Sequence, residues 1–266
     1  MEKCIIVPFD FTEPANNALK KAYEIANHIK KNIVLIHVVK NDSEIETKQS
    51  ELERIASEFK EDNQNVTIKA IVKKGDLFKT IYETAQEYNT FLAVMGTHGK
   101  KTIKKAMKVV SKFVKIAFLL VQYPDDKPIF NKILLPLDTN RKTRANLNWI
   151  KVLSYHFEIK VYLLYPVYKN DSKNALVKRN LNFAEKILDH ELIEYEVIRS
   201  NIENNYTEEM FNKIKEFDAD TLVLMSTNYK RYIKKIKRDE DLDQYKQTPI
   251  LCVNPRIDLE KLGGLA

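Results

Sequence analysis

Short runs of apolar residues alternate along this chain with longer segments in which apolar residues recur at helical spacing. The first run, Ile5 to Phe9, is closed by Asp10 and is typical of a buried parallel strand. The segment that follows has one face of small and apolar residues, namely Ala15, Ala18, Leu19, Ala22, Ile25, Ala26 and Ile29. Further strand-like runs cover 32–39, 66–72, 91–96 and 116–122, with helical patterns between them. This alternation predicts a parallel α/β sheet.

The pattern of the first half starts again after a polar segment that contains two prolines. Ile133–Asp138 repeats Ile5–Asp10 at a spacing of 128 residues, with Pro and Asp in the same places. Later segments repeat as well, at 161–166, 221–227 and 249–253. Self-similarity over this length predicts two copies of one fold. We therefore predict a first domain at 1–123, a linker at 124–130, a second domain at 131–255 and a carboxyl-terminal tail at 256–266.

A glycine turn follows one of the buried strands. The apolar run 91–95 leads into Gly96, and Gly99 follows three positions later, in a chain with only five glycines. Such a turn presents backbone N–H groups at the carboxyl edge of a sheet, where an anion can approach because no Cβ blocks it. A plain strand-to-helix turn is an equally good interpretation of so short a motif.

These segments resemble the universal stress protein family in its tandem two-domain form. The resemblance rests on Val7–Glu13, Ile36–Val38, Gly75–Asp76 and Met95–Gly99, and it extends over nearly the whole chain. It implies two doubly wound α/β domains, each with a five-stranded parallel sheet flanked by helices. It also implies that the last strands of the two domains pair within the chain, so that one chain mimics the family's usual dimer.

The resemblance further implies where a nucleotide would lie. In ATP-binding members, adenine and ribose lie near the Asp after the first strand and the Val of the second. Their phosphates lie on Gly-x-x-Gly, a spacer of about nine residues, and Gly-Ser or Gly-Thr. The corresponding nucleotide-binding residues in this chain are Pro8, Asp10, Val38, Met95, Gly96 and Gly99.

The chain departs from the family motif where that motif holds phosphates. Counting forward from Gly99 puts Val109–Val110 in place of Gly-Ser, and counting back from the next strand puts Lys104–Lys105 there. Neither pair offers a glycine or a hydroxyl, and a side chain at this position would crowd a phosphate. In the second domain Ser226 and Tyr229 replace the two earlier glycines. We therefore expect a degenerate pocket in the first domain and a more eroded one in the second.

Several candidate side chains also have a structural interpretation. Asp10 accepts ribose hydroxyls in one interpretation and caps the following helix in the other, and both stay open. His98 is interpreted as a polar turn residue, because no partner carboxylate or nucleophile can be named for it. His37 is interpreted as a core residue whose polar atoms are satisfied. Lysines crowd 100–115 and 230–238, and such charge runs favour a solvated face over a nucleic-acid interface.

Composition narrows the functional class further. The chain has 266 residues, 44% hydrophobic and 30% charged, with a net charge of +7, and no window has the length of apolar sequence that a membrane span needs. The first residues run directly into a strand, so we expect no signal peptide. Cys4 and Cys252 lie in apolar runs and are predicted to be buried thiols of a cytoplasmic protein. No His/Cys cluster has metal-ligand spacing.

These observations lead to one preferred function and one alternative. The preferred function is a non-enzymatic, cytoplasmic stress-response and regulatory module with a degenerate nucleotide pocket in the first domain. It would have no catalytic residues and no metal site, and its partner would be an unidentified protein; pairing of two chains stays open. The alternative is an adenine-nucleotide binding protein that takes AMP, ADP or ATP in the first domain. Weak ATP hydrolysis ranks third.

Overall fold

The computed structural model describes residues 3–61, 65–97, 110, 116–121, 127–200, 206–226 and 248–254. Strands and helices alternate through both halves of this chain. The first half contains β1 (Cys4–Pro8), α1 (Glu13–Ile29), β2 (Asn32–Val39), α2 (Ile45–Glu61), β3 (Ile68–Lys74), α3 (Leu77–Glu87), β4 (Thr90–Gly96) and β5 (Ala117–Val121). The second half contains β6 (Lys132–Pro136), α4 (Ala145–Ser154), β7 (Lys160–Tyr165), α5 (Asp171–His190), β8 (Glu194–Arg199), α6 (Tyr206–Glu216), β9 (Thr221–Met225) and β10 (Ile250–Val253).

The ten described strands form one continuous sheet in the order β3-β2-β1-β4-β5-β10-β9-β6-β7-β8. Neighbouring strands within each half are parallel, as the alternation of strands and helices requires. The halves meet where β5 and β10 run antiparallel, with Leu119 opposite Leu251. The predicted α/β class, with a doubly wound five-stranded parallel sheet in each half, is confirmed.

Helices cover both faces of the sheet, and each face has its own hydrophobic core. One core holds α1, α2, α4 and α5 against the sheet, and the other holds α3 and α6. Alternate residues of a strand enter opposite cores: Ile5 and Val7 pack towards α1, whereas Ile6 packs on the other face. Burial on both faces explains why the strands read as continuous apolar runs.

The helix starts follow from local sequence. Thr12 precedes α1 in an extended conformation, and a proline lies in the first turn, where a missing N–H costs nothing. At α3 the Asp76 carboxylate accepts hydrogen bonds from the backbone N–H groups of Phe78 and Lys79, at 3.2 and 3.0 Å. The alanine-rich face of α1 lets that helix lie close to β1 and β4.

Side chains also join the two halves beyond the shared sheet. The rings of Phe91 and Trp149 stack with centroids 6.1 Å apart, and the His28 ring lies 5.0 Å from that of Phe157. The Asn254 amide, just after β10, donates to the carbonyl oxygen of Val110 at 2.7 Å. The two halves therefore share packing on more than one side of the sheet.

Cys4 and Cys252 are free thiols, and both are buried in the core that holds α3 and α6. The Cys4 sulfur lies 3.2 Å from the carbonyl oxygen of Tyr88, and burial raises the pKa of Cys252 to about 12. Over the described residues, no helix combines the length and apolarity required to cross a bilayer.

Candidate functional site

The strand order reverses at β1, so a topological switch point lies at the carboxyl edge of the first-half sheet, and we call this place the first crevice. The chain proceeds from β1 to β2 on one side, whereas β4 and β5 lie on the other side of β1. Ligands of doubly wound sheets bind at such a switch point, outside the carboxyl ends of the strands. Pro8 and Gly96 are the last residues of β1 and β4, so the fold places these two predicted site residues at this edge.

One wall of this first crevice is apolar. The register that pairs Ile6 with Ala93 brings Pro8 level with Met95. The side chains of Met95 and Val38 pack against the same core, and strand alternation puts Pro8 on that face as well. Val38 is half-buried, and the half-buried ring of Phe78 at the start of α3 joins the same core. Pro8 and Met95 are buried, so it is the half-buried Val38 and Phe78 that present an apolar surface able to take the face of a flat group.

Asp10 lies exposed at the mouth of the crevice, on a loop that the neighbouring strand holds in place. The Thr12 hydroxyl donates to its carboxylate. The N–H of Phe9 donates to the carbonyl oxygen of Ile36 at 2.8 Å, and Nδ1 of His37 donates to the carbonyl oxygen of Phe9 at 2.7 Å. His37 therefore supports the loop, as a core residue with a satisfied ring nitrogen would.

Gly96 has a packing reason for being glycine. A Cβ at this position would lie 2.3 Å from the backbone oxygen of Pro14 and 2.7 Å from the nitrogen of Ala15, distances that real Cβ atoms do not reach. The missing side chain would point at the first turn of α1, on the opposite face of the sheet from Met95. Close helix-to-strand contact is one of the recognised functions of glycine in doubly wound folds.

The rest of the predicted phosphate motif lies largely outside the described residues. Gly99, His98 and Tyr229 are not among them, and the same holds for the lysine-rich segments apart from Val110. Val110 is buried in the core beside α3, and its carbonyl oxygen accepts the hydrogen bond from Asn254. One of the two positions that would carry Gly-Ser is therefore a core position in this chain.

At the equivalent switch point of the second half, which we call the second crevice, the side chain of Tyr206, at the start of α6, lies across the strand ends. Its hydroxyl lies within hydrogen-bond distance of the carbonyl oxygens of Leu137 and Leu164, at 2.8 and 2.6 Å, and shares its one proton between them. These oxygens lie at the carboxyl ends of β6 and β7. Burial, with a smaller contribution from the charge of Asp138, raises the pKa of Tyr206 well above its ordinary value.

The remaining second-half counterparts serve local structure. The Asp138 carboxylate accepts a hydrogen bond from the N–H of Asn140 at 2.7 Å, so it stabilises the turn before α4. Ser226, in the place of Gly96, is buried, and its hydroxyl donates to the side-chain oxygen of Asn254. These contacts use the polar groups that a ligand would otherwise engage.

Sequence reasoning missed Tyr206. An aromatic residue occurs within the first two positions of the third helix in both halves, Phe78 in one and Tyr206 in the other. Only the tyrosine has a hydroxyl that can reach the strand-end carbonyls. This difference between Phe78 and Tyr206 was the signal in the sequence that could have predicted the contact. Within the described ranges, no group of three or more His, Cys, Asp or Glu side chains is arranged to hold a metal ion.

The geometry defines a doubly wound α/β protein with its candidate site at the sheet's switch point. Residues 1–114 match the model of the Universal stress protein family. The resemblance to this family that was inferred from the sequence is therefore confirmed, and the family model accounts for these residues of the first half. At 266 residues the chain fits the tandem two-domain form of that family.

Solved structures show the same fold over almost the whole chain. A universal stress protein from Archaeoglobus fulgidus DSM 4304 is 16% identical, with a TM-score of 0.68, and the match covers 95% of this chain and 98% of that one. A functionally unknown protein from Pseudomonas aeruginosa PAO1 is 13% identical, with a TM-score of 0.66, and the match covers 98% and 96%. At these identities the likeness establishes the fold alone.

A shorter relative was solved with a ligand. The universal stress protein from Archaeoglobus fulgidus in complex with dAMP is 15% identical, and the match covers 47% of this chain and 99% of that one, with a TM-score of 0.37. That likeness is too weak to transfer the ligand to this chain. No curated protein matches the sequence.

Proposed function

We propose that this chain is a tandem universal stress protein that acts in the cytoplasm as a non-enzymatic stress-response and regulatory module. Its domains span 1–123 and 131–255, with a linker at 124–130 and a tail at 256–266. The first domain keeps a remnant nucleotide pocket formed by Pro8, Asp10, Val38, Met95, Gly96 and Gly99. An unidentified protein is the partner that the module would regulate.

The observation that carries this proposal is the difference between the two crevices. In the first, Asp10 is exposed beside the apolar wall that includes Val38 and Met95. In the second, the Tyr206 hydroxyl bonds to the strand-end carbonyls, and Asp138 is engaged with its own turn. A duplicated fold in which Tyr206 lies across the second crevice has at most one nucleoside site left per chain.

The absence of the Gly-Ser or Gly-Thr part of the phosphate-binding motif supports a non-enzymatic role. Phosphoryl chemistry depends on donors held around the phosphates, and backbone N–H groups freed by glycine are the usual ones in this kind of turn. Neither Lys104–Lys105 nor Val109–Val110 supplies a glycine, and Val110 lies in the core. We therefore expect ATP to bind no more tightly than AMP and to undergo no appreciable hydrolysis.

The alternative is a true adenine-nucleotide binding protein that uses the first domain. Two features of the first crevice favour it. The apolar wall suits a purine ring, and a carboxylate at the strand end suits ribose hydroxyls, as in other doubly wound sheets. In this case AMP, ADP or ATP would be a functional ligand of the pocket.

Antiparallel pairing of β5 and β10 supports the pseudo-dimer arrangement within one chain. Through this pairing the two halves form one sheet, with β3 and β8 at its outer edges. Edge strands are surfaces on which another chain can add. Association of two chains through these edges is therefore compatible with the proposal but is not required by it.

Calorimetric titration with AMP, ADP and ATP separates the two functions. The matched variants are Asp10→Ala in the first crevice and Asp138→Ala in the second. We expect weak wild-type binding, in the millimolar range, that is no stronger for ATP than for AMP. Asp10→Ala should remove it and Asp138→Ala should leave it unchanged. Circular dichroism of each variant checks that the fold is retained.

Two results would change the conclusion. Micromolar ATP binding that Asp10→Ala abolishes would overturn the preferred function in favour of the nucleotide-binding alternative. Absence of any detectable binding at millimolar nucleotide would remove both the alternative and the remnant pocket.

A further inference from the structure

A separate cavity lies in the second half, between α5 and the carboxyl ends of β7 and β8. Its volume is about 370 Å³, within the size range of small-molecule pockets. It lies on the α5 face of the sheet, whereas Tyr206 belongs to the helix on the opposite face. The cavity is therefore distinct from the second crevice, where Tyr206 lies.

In the first half an aromatic side chain occupies the corresponding space. The Phe11 ring lies 4.7 Å from the His37 ring at the end of β2, and the Lys48 ammonium on α2 lies 4.4 Å from its centroid. The repeat of 128 residues places Tyr165 at the position of His37 and Thr139 at that of Phe11. Tyr165 lines the cavity, whereas Thr139 is not among the lining residues, so no side chain in the place of Phe11 enters this space.

The body of the cavity is apolar. Side chains from the segment after β7 and from α5 form it, among them Val167, Val177 and Leu181. The amide of Asn174 also lines it but is already engaged: its oxygen accepts from the N–H of Tyr168 at 2.8 Å and its nitrogen donates to that residue's carbonyl at 2.7 Å. An occupant would therefore be held in the interior mainly by apolar contact.

The rim of the cavity is positively charged. Lys178 projects from α5 and Arg199 from the end of β8, and both are exposed. Within the part of the chain that the structure describes, neither forms an ion pair, and none of the lining residues is acidic. Two cations beside an apolar cavity are complementary to an anion with an apolar body. Arginine adds the planar pair of donors that a carboxylate accepts.

We propose that this cavity binds a small amphiphilic carboxylate, such as a medium-chain acyl or aryl acid. Its apolar body would lie between α5 and β7, and its carboxylate would lie between Lys178 and Arg199. The site is independent of the nucleotide proposal, because it lies in the other half of the chain and shares no residue with the first crevice.

Displacement of a fluorescent probe from the full-length chain tests this proposal. Anilinonaphthalene sulfonate is the probe, decanoate the competing acid, and decanol the competitor that lacks the charge. We expect saturable displacement by decanoate, with decanol and inorganic phosphate each at least about tenfold weaker, because a charged hydrogen bond contributes about that much.

Matched variants locate the binding. Lys178→Gln and Arg199→Gln should each weaken decanoate by about tenfold, whereas Lys186→Gln, on the same helix but away from the cavity, should not. Ala175→Trp should block binding, since Ala175 lines the cavity and is exposed, so the change is tolerated by the fold. Leu176→Trp, at the neighbouring exposed position outside the cavity, is its control.

The remaining outcomes overturn the proposal. If decanol displaced the probe as well as decanoate does, Lys178 and Arg199 would not contribute to binding. If inorganic phosphate did so, the apolar cavity would not contribute. Decanoate binding that is unchanged in Ala175→Trp and Arg199→Gln would place the ligand elsewhere. Absence of decanoate binding up to millimolar concentration would leave the cavity without this ligand.

Discussion

At the scale of single residues, the same type of residue can serve packing or binding, and the neighbouring atoms decide which. Gly96 lies in a motif typical of phosphate turns, yet its absent Cβ faces the backbone of α1. Asp10 and Asp138 follow equivalent strands, and each accepts a hydrogen bond from the residue two positions further on, but Asp138 is half-buried whereas Asp10 is exposed at the first crevice. Sequence spacing alone does not distinguish Asp10 from Asp138.

Replacing Gly96 by alanine tests the packing explanation. The added Cβ would meet the backbone of Pro14, which cannot rotate away, so we expect the free energy of unfolding to fall by about 2–4 kcal/mol. Urea denaturation without any nucleotide measures this loss. A value within about 0.5 kcal/mol of wild type would contradict the packing explanation.

Gly75 provides a contrasting case for the same measurement. A Cβ there would lie 2.4 Å from the Thr80 hydroxyl, which is a side-chain atom, and the φ of +158° adds backbone strain that removing this hydroxyl cannot relieve. The loss caused by Gly75→Ala should therefore be partly recovered in the double variant with Thr80→Ala, whereas no side-chain deletion should rescue Gly96→Ala.

At the scale of elements, a buried carboxylate ties the start of β9 to the start of β6. Asp220 accepts hydrogen bonds from the N–H groups of Asn131 and Lys132, at 2.9 and 2.8 Å, and from the Thr221 hydroxyl at 2.8 Å. Burial outweighs these bonds and raises the pKa of Asp220 from 3.8 to about 6. The strand junction therefore responds to pH in the mildly acidic range.

The sign of this response follows from proton linkage. The folded state holds the Asp220 proton more tightly than the unfolded chain, so this contribution to stability is complete below about pH 4 and is lost as the pH rises to about 6. The shift corresponds to at most about 3 kcal/mol. Asp220→Asn should therefore flatten the dependence of unfolding free energy on pH between about 4 and 6.

A neighbouring residue supplies the control. The ion pair with Lys127 lowers the pKa of Asp218, which is largely exposed. Its contribution is therefore lost as the pH falls, so Asp218→Asn should produce a small change of opposite sign. An unchanged pH profile in Asp220→Asn would contradict the inferred shift.

Most elements could be predicted from the sequence because buried strands and helix faces leave strong periodic signals. The Pro and Asp repeated at Pro8–Asp10 and Pro136–Asp138 marked the ends of the first strand in each half. Contacts between distant segments could not be predicted in the same way. The Tyr206 hydroxyl reaches carbonyls 69 and 42 residues away, and the cavity beside Tyr165 is lined by residues that lie up to 34 positions apart in the sequence.

At the scale of the whole molecule, duplication has produced one sheet with two unequal halves. The family model covers the first half, where the predicted nucleotide residues lie, and the second half keeps the fold with Tyr206 across its crevice. The antiparallel pairing of β5 and β10 joins the two halves into this sheet. Under the proposed function, only the first half would keep a ligand site.

The proposal that only the first half binds a nucleoside is tested most directly by two crystal structures of the chain, one grown with millimolar AMP and one with ATP and magnesium. We predict a nucleoside against Pro8, Val38 and Met95 in the first half, with Tyr206 still bonded to Leu137 and Leu164 in the second. An ordered ATP triphosphate with magnesium along residues 96–111 would contradict the account, as would a nucleotide that displaces Tyr206.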